Sequence, residues 1–166
     1  MGETRHFAGR LIALIESDAA DLTQRTVEAL QTSPHTPSYR HLVSRDLYAK
    51  AYDVYHQFGR WLLENTDGAI QTRYHDLGAQ RFNEKIPVSE VLWALVLTKN
   101  HLRGHLSSWA LADSAVELYR QQELDRLVSQ FFDRAMCYTV EGYEHARNTN
   151  AEDIEAQPER FHNAVW

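Results

Sequence analysis

Two histidines four positions apart, His101 and His105, have the spacing in this chain that best suits a metal ion or a haem edge. On an α-helix, residues at i and i+4 project from the same side, so both imidazoles could reach one ligand. Histidine is also the usual proximal ligand of haem iron. No other element supplies an unmistakable set of further ligands, and two solvated or hydrogen-bonded histidines would show the same spacing. We therefore expect no cofactor and keep a haem or metal site at this pair as the alternative.

A search for catalytic arrangements finds no residue set that stands out. The sequence contains neither a Gly-x-Ser-x-Gly nucleophile elbow nor a glycine-rich phosphate loop. Glu141, Glu144 and His145 bring carboxylates near an imidazole, but this segment lacks the Glu-x-x-His spacing of di-iron helical bundles. Cys137 lies in the apolar run AMCYTV, which favours a buried, unreactive thiol. We expect a protein that is not an enzyme and has no catalytic residues.

The composition is that of an ordinary soluble globular domain: 166 residues, of which 43% are hydrophobic and 24% charged. A net charge of -6 argues against nonspecific nucleic-acid binding, which needs a basic surface. The single cysteine cannot form an internal disulfide. We find no signal peptide, and the apolar runs are too short to cross a bilayer. These features predict a cytoplasmic protein with neither a nucleic-acid nor a membrane partner.

Apolar residues recur at three- and four-residue spacing along the chain, and glycine and proline are scarce, which predicts an all-α fold. The prolines within 33–41 mark a loop, and Ser44 is a candidate N-cap. We expect five main helices, at about 3–32, 44–65, 69–85, 88–111 and from a cap at 113–114 to about 148. Residues 149–166 are interpreted as a flexible tail or linker. A globin-like helical bundle over residues 1–148 is therefore the predicted architecture.

The fourth predicted helix carries more apolar residues than a surface helix needs. Its core stripe includes Leu95 and Leu102, whereas Trp93, Val96 and Leu97 fall well around the helix, where polar residues are usual. Two interpretations are open. Either this is the central helix of the fold, or its outer face meets a partner.

The fifth predicted helix has two adjacent apolar stripes, wider together than one neighbouring helix needs. A long core helix is one interpretation, and a helix shared between the core and a dimer interface is the other. Gly142, near its end, either permits close backbone approach or weakens the last turn. We expect a homodimer interface formed by residues of both helices, namely Trp93, Val96, Leu97, Val128, Phe132 and Met136.

The segment LGAQRFNEKIPVSEVLWALVLTKNHL, residues 77–102, resembles the central signature of the RsbR-type N-terminal domain family. Members show a helix that ends Leu-Gly-x-x-Arg, an Ile-Pro-Val/Leu-x-Glu break and then a Leu-rich helix. The aromatic run FFDRAMCYTVEGYE of the fifth helix is also similar to that family. The matching positions of the signature are Leu77, Gly78, Arg81, Ile86, Pro87, Val88 and Glu90.

The resemblance implies a globin-like fold, generally without haem, that forms dimers and has no catalytic residues. Such domains stand at the N terminus of stress-response regulators or of sensor histidine kinases. We therefore expect a non-catalytic sensory domain of bacterial stress or two-component signalling. It would act through dimerisation and through contacts with an output domain or a signalling partner protein.

Overall fold

The computed structural model describes residues 2–64, 67–109 and 115–155, and all regular elements in these ranges are helical. The predicted all-α helical bundle is confirmed. Within the same ranges, no helix combines the length and the apolar character needed to span a membrane. The elements are α1 (Gly2–Thr32), a 3-10 helix (Pro37–His41), α2 (Ser44–Glu64), α3 (Gly68–Asn83), α4 (Val88–Trp109) and α5 (Ala115–Glu155).

The starts of α2, α3 and α4 agree closely with the predictions, whereas the predicted cap at 113–114 and the predicted end of the fourth helix near 111 lie outside the described residues. Three local details differ. Ser44 is not the N-cap of α2, because the carbonyl of Val43 already accepts the first helical bond and the Ser44 hydroxyl accepts one from Gln31. The predicted loop at 33–41 contains the 3-10 helix, which begins with Pro37. Proline lacks a backbone N–H, and this costs nothing in a first turn, where an N–H would have no partner within the helix. Helix α5 continues to Glu155, so residues 149–155 of the predicted tail are helical, while 156–166 lie outside the described residues.

The larger of two core clusters has an aromatic centre where α5 meets α2 and α3. Phe131 of α5 is at its centre, and its ring centroid lies 5.3 Å from that of Phe58 and 5.9 Å from that of Tyr74. Both contacts are edge-to-face, the arrangement that the charge distribution of aromatic rings favours. All three rings are buried, so α5 is a central helix of the bundle.

A smaller core cluster closes the other end of the molecule. The C-terminal part of α1, the 3-10 helix and the first turns of α2 and α4 meet there. Tyr39 of the 3-10 helix and Ile86, between α3 and α4, are both almost fully buried in it. This cluster brings the segment that connects α3 to α4 against the segment that connects α1 to α2.

Helices α3 and α5 pack together with their backbones in contact. A Cβ atom at Gly78 would lie 1.9 Å from the carbonyl oxygen of Thr139, a distance that no side chain tolerates. Gly142 is placed in the same way against α3, so the predicted close approach at Gly142 is correct. The approach orients α3 so that its other face points towards α2 and α4.

Candidate functional site at the junction of α3 and α4

Arg81 is in the last turn of α3, and its side chain is buried inside the protein, with 4% of the residue's surface exposed. Its guanidinium lies over the ring of Tyr39, 5.2 Å from the centroid, and donates a hydrogen bond to Glu84. The backbone carbonyl of Arg81 accepts a hydrogen bond from the N–H of Ile86. Lys85 between them has φ of 59°, the left-handed conformation that ends a helix. One residue thus connects α3, the α3–α4 turn and the 3-10 helix.

Glu90, in the first turn of α4, holds the 3-10 helix from the opposite side. Its carboxylate oxygens accept hydrogen bonds from the backbone N–H of Ser38 at 2.8 Å and from the Ser38 hydroxyl at 3.0 Å. The carboxylate is buried, and the N-terminal position in α4 also favours its negative charge. The hydroxyl of Tyr143 in α5 donates to the carbonyl of Ile86 at 2.9 Å. Four elements therefore converge on the segment 81–90.

A cavity of about 140 Å³ lies beside this junction, between α2, α3 and α4. Most of its wall is apolar. Three of the polar side chains in the wall, Lys50, Tyr74 and Arg81, come from α2 and α3. Sequence reasoning missed this site because its residues are spread over four α-helices and the 3-10 helix, and no two form a recognised motif. The only sequence signal was Arg81, a cation among the positions that match the family signature.

The polar groups of the cavity differ in how well they are satisfied. Lys50 donates from Nζ to the side-chain oxygen of Gln80 at 2.6 Å, and burial lowers the pKa of Lys50. The hydroxyl of Tyr74 and the Nε of Arg81 are buried and have no hydrogen-bond partner among the described residues. Burial also raises the pKa of Tyr74, so its phenol stays protonated and remains a donor.

A comparison with protein families matches residues 20–157 to the RsbT co-antagonist protein rsbRD N-terminal domain. The chain belongs to this family. The match includes both the signature at 77–102 and the aromatic run of α5, so the family predicted from those segments is confirmed. No curated protein and no solved structure matches the chain. Membership places the chain among regulatory domains of the stressosome type.

In this RsbRD N-terminal domain, the two predicted ligand histidines lie in separate surroundings. Nδ1 of His101 lies 2.9 Å from the carbonyl oxygen of Leu97, one turn earlier in α4. His105 is nearly buried, and its Nε2 lies 3.4 Å from a carboxylate oxygen of Asp18 without forming a hydrogen bond. Neither histidine lines the cavity. Across the described residues, no group of three or more His, Cys, Asp or Glu side chains is placed to hold a metal ion.

The thiol predicted to be buried is exposed in this RsbRD domain. Cys137 lies on α5 between Ala135 and Thr139, which are both fully buried. Successive helical positions turn by about 100°, so a residue midway between two core positions faces away from the core. The apolar run AMCYTV concealed this, because apolar residues around a helix do not reveal which side is covered.

The predicted dimer interface of this RsbRD domain divides into exposed and buried residues. Val128 and Phe132 are fully buried, so in this arrangement their side chains contact only the chain's own helices. Their place in a dimer interface stays a prediction, and this burial disfavours it because neighbouring helices cover the second stripe of α5. Trp93 is 41% exposed, whereas Val96 and Leu97 are half-buried. Met136 is half-buried against the main core.

Proposed function

We propose that this chain is a non-catalytic input domain of bacterial stress or two-component signalling that works in the cytoplasm as a homodimer. The proposal is supported by the family, whose description names a co-antagonist of another protein. A co-antagonist acts by binding, so the functional surfaces of such a domain are those that contact proteins. An output domain or a signalling protein is the partner that this role requires.

The single observation that carries the dimer proposal is a partly exposed apolar stripe of α4, which we call the Trp93 stripe. It consists of the exposed Trp93 and the half-buried Val96 and Leu97. Positions i, i+3 and i+4 share one face of a helix. His35 stacks on the indole of Trp93, with ring centroids 3.9 Å apart and the planes inclined by 10°. The indole is thereby held in one orientation while 41% of its surface stays accessible. Ordered, exposed aromatic side chains are typical anchors of protein interfaces.

Two-fold symmetry would place the Trp93 stripe of one subunit against that of the other. Two-fold symmetric dimers are the commonest assemblies, and in such a dimer the stripe of each subunit would cover the same stripe of the other. Met136 of α5, another residue of the predicted interface, is half-buried and would lie at its edge.

Helix α5 has 41 residues and is therefore about 60 Å long. A small shift of α4 against its partner would move α5, which α4 contacts, and so pass a signal along the helix.

Light scattering of the purified chain over a range of concentrations tests the proposal. We expect a dimer, and we expect Trp93→Asp to convert it to a monomer with an unchanged helical circular-dichroism spectrum. Tyr52→Asp is the matched control, because Tyr52 on α2 is exposed to a similar degree, 44%. A strict monomer at high concentration would contradict the dimer. A dimer that withstands Trp93→Asp would place the interface elsewhere.

A further inference from the structure

Two imidazole rings meet on the surface where α3 crosses α5. The ring centroids of His75 in α3 and His145 in α5 lie 5.6 Å apart, with their planes inclined by 46°. His75 is half-buried and His145 is exposed, so solvent reaches the pair. In the part of the chain that the structure describes, no hydrogen bond or ion pair engages either ring. The ring nitrogens of both histidines are therefore available to an outside ligand.

The backbone sets the positions of the two histidines. A Cβ atom on Gly142 would lie 1.9 Å from the carbonyl oxygen of His75, so α5 touches α3 at the backbone of this histidine. His145 follows Gly142 within one turn of α5 and shares its side of the helix. A site built on packed helices is preorganised, so a ligand bound there does not have to draw the two side chains together from a distance.

The separation of the two rings matches that of imidazoles that share a metal ion. Zinc binds imidazole nitrogen at about 2.1 Å, and two such bonds at a tetrahedral angle would hold the ring centroids roughly 5 to 6 Å apart. The χ2 torsion of histidine has broad preferences, so a rotation can turn one nitrogen of each ring towards a common ion. Imidazole suits Zn²⁺, Cu²⁺ and Ni²⁺, whereas Mg²⁺ and Ca²⁺ prefer oxygen ligands. The pair therefore suits a divalent transition-metal ion.

We propose that His75 and His145 together bind one divalent transition-metal ion of the Zn²⁺ type. Among the described residues, no third His, Cys, Asp or Glu side chain is placed to join them, so water completes the coordination of the ion. Glu141 is exposed on the same side of α5, one turn before His145, and its negative charge favours a cation at the pair. The bound ion links α3 to α5 beside the glycine crossing. The site stands on this geometry and does not depend on the proposed function.

Isothermal titration of the full chain with zinc chloride tests the site, with magnesium chloride as the control cation. We expect Zn²⁺ to bind and to raise the melting temperature, because an ion that binds only the folded chain stabilises it. Mg²⁺ should do neither at the same concentration, since two imidazoles offer it no oxygen ligand. Absence of Zn²⁺ binding at about millimolar concentration would overturn the proposal. Equal affinity for Zn²⁺ and Mg²⁺ would overturn the assignment to imidazole ligands.

Three variants locate the ion. His75→Ala and His145→Ala should each weaken Zn²⁺ binding about tenfold or more, because a single imidazole then remains. His56→Ala, at an exposed histidine of α2, is the matched control and should leave the affinity unchanged. Circular dichroism should show the same helical content in all three variants. Zn²⁺ affinity that withstands both His75→Ala and His145→Ala would place the ion elsewhere and overturn the proposal.

Nuclear magnetic resonance of the wild-type histidine rings identifies the ligands without any substitution. Zn²⁺ should shift the ring signals of His75 and His145 more than those of His56, because only bound nitrogens change their electronic state. Ring shifts confined to other histidines would overturn the proposal. Light scattering with and without Zn²⁺ should give the same mass, since both ligands belong to one chain. A mass that rises with Zn²⁺ would mean that the ion joins separate chains, which would also overturn the proposal.

Discussion

Gly142 of α5 lies directly against the backbone of His75 in α3, so that a Cβ atom on Gly142 would be 1.9 Å from the carbonyl oxygen of His75. The relation is reciprocal, since a Cβ on Gly78 of α3 would meet the carbonyl of Thr139 in α5 at the same distance. The two helices therefore cross with a glycine from each at the contact. Any side chain at either position must push the helices apart, because the atom it meets is backbone.

Gly142→Ala should therefore destabilise the domain by about 2 kcal/mol or more, as expected when a methyl group is forced into a packed contact. Urea unfolding followed by circular dichroism measures the change. Gly104→Ala in α4 is the matched control, because a Cβ there has no atom within 4 Å. That control should be neutral or stabilise by up to about 1 kcal/mol through helix propensity. Equal effects of the two substitutions would contradict the close crossing.

Glu90→Ala should release the 3-10 helix from α4. The substitution removes both acceptors of Ser38, whose backbone N–H and hydroxyl bond to the Glu90 carboxylate. We expect a loss of about 1 to 3 kcal/mol in the free energy of unfolding. Hydrogen exchange should also become faster at the Ser38 amide. Ser89→Ala, at the exposed neighbouring position, should leave that amide protected. Unchanged exchange at Ser38 in Glu90→Ala would show that the contact does not hold the 3-10 helix.

Alkaline pH should destabilise the domain through its buried tyrosines. Burial raises the pKa of Tyr39 from 10.0 to about 12, and it also raises the pKa of Tyr55 and Tyr74. The folded state therefore holds the phenolic proton more tightly than the unfolded state, whose tyrosines ionise near pH 10. The resulting stability is complete below pH 10 and is lost as the pH rises towards 12.

For Tyr39 the loss is on the order of 2 to 3 kcal/mol across that interval. Urea unfolding at a series of alkaline pH values, with tyrosinate absorbance recorded in parallel, measures it. Tyr39→Phe should show a smaller loss of stability over the same interval. A wild-type unfolding free energy that stays constant to pH 12 would contradict the burial of these phenols.

Addition of haemin should give no specific Soret band. His101 contacts the carbonyl of Leu97, and His105 lies against Asp18, so the two rings have separate neighbours rather than a shared cavity. Absorbance spectra test this prediction. They are recorded before and after addition of haemin to the wild type, to His101→Ala and to His105→Ala. A sharp band that either substitution abolishes would instead support a haem sensor.

Sequence alone determined the helical class and the family. Apolar spacing located the helices, because the period of a helix repeats locally along the chain. The signature at 77–102 then identified the family, and its residues Gly78, Arg81 and Glu90 have clear structural roles. Gly78 meets α5, Arg81 packs on Tyr39, and Glu90 binds Ser38. Each role needs a partner distant in sequence, so the signature marked these positions without explaining them.

Only the tertiary structure decided which apolar faces are covered. The stripes of α4 and α5 looked alike as patterns, yet Phe132 is fully buried and Trp93 is 41% exposed. Periodicity shows that a helix face is apolar, whereas the packing of the other helices decides whether that face is enclosed. The cavity has the same origin, because its wall combines residues of α2, α3 and α4 that are distant in sequence. Local sequence does not encode that proximity.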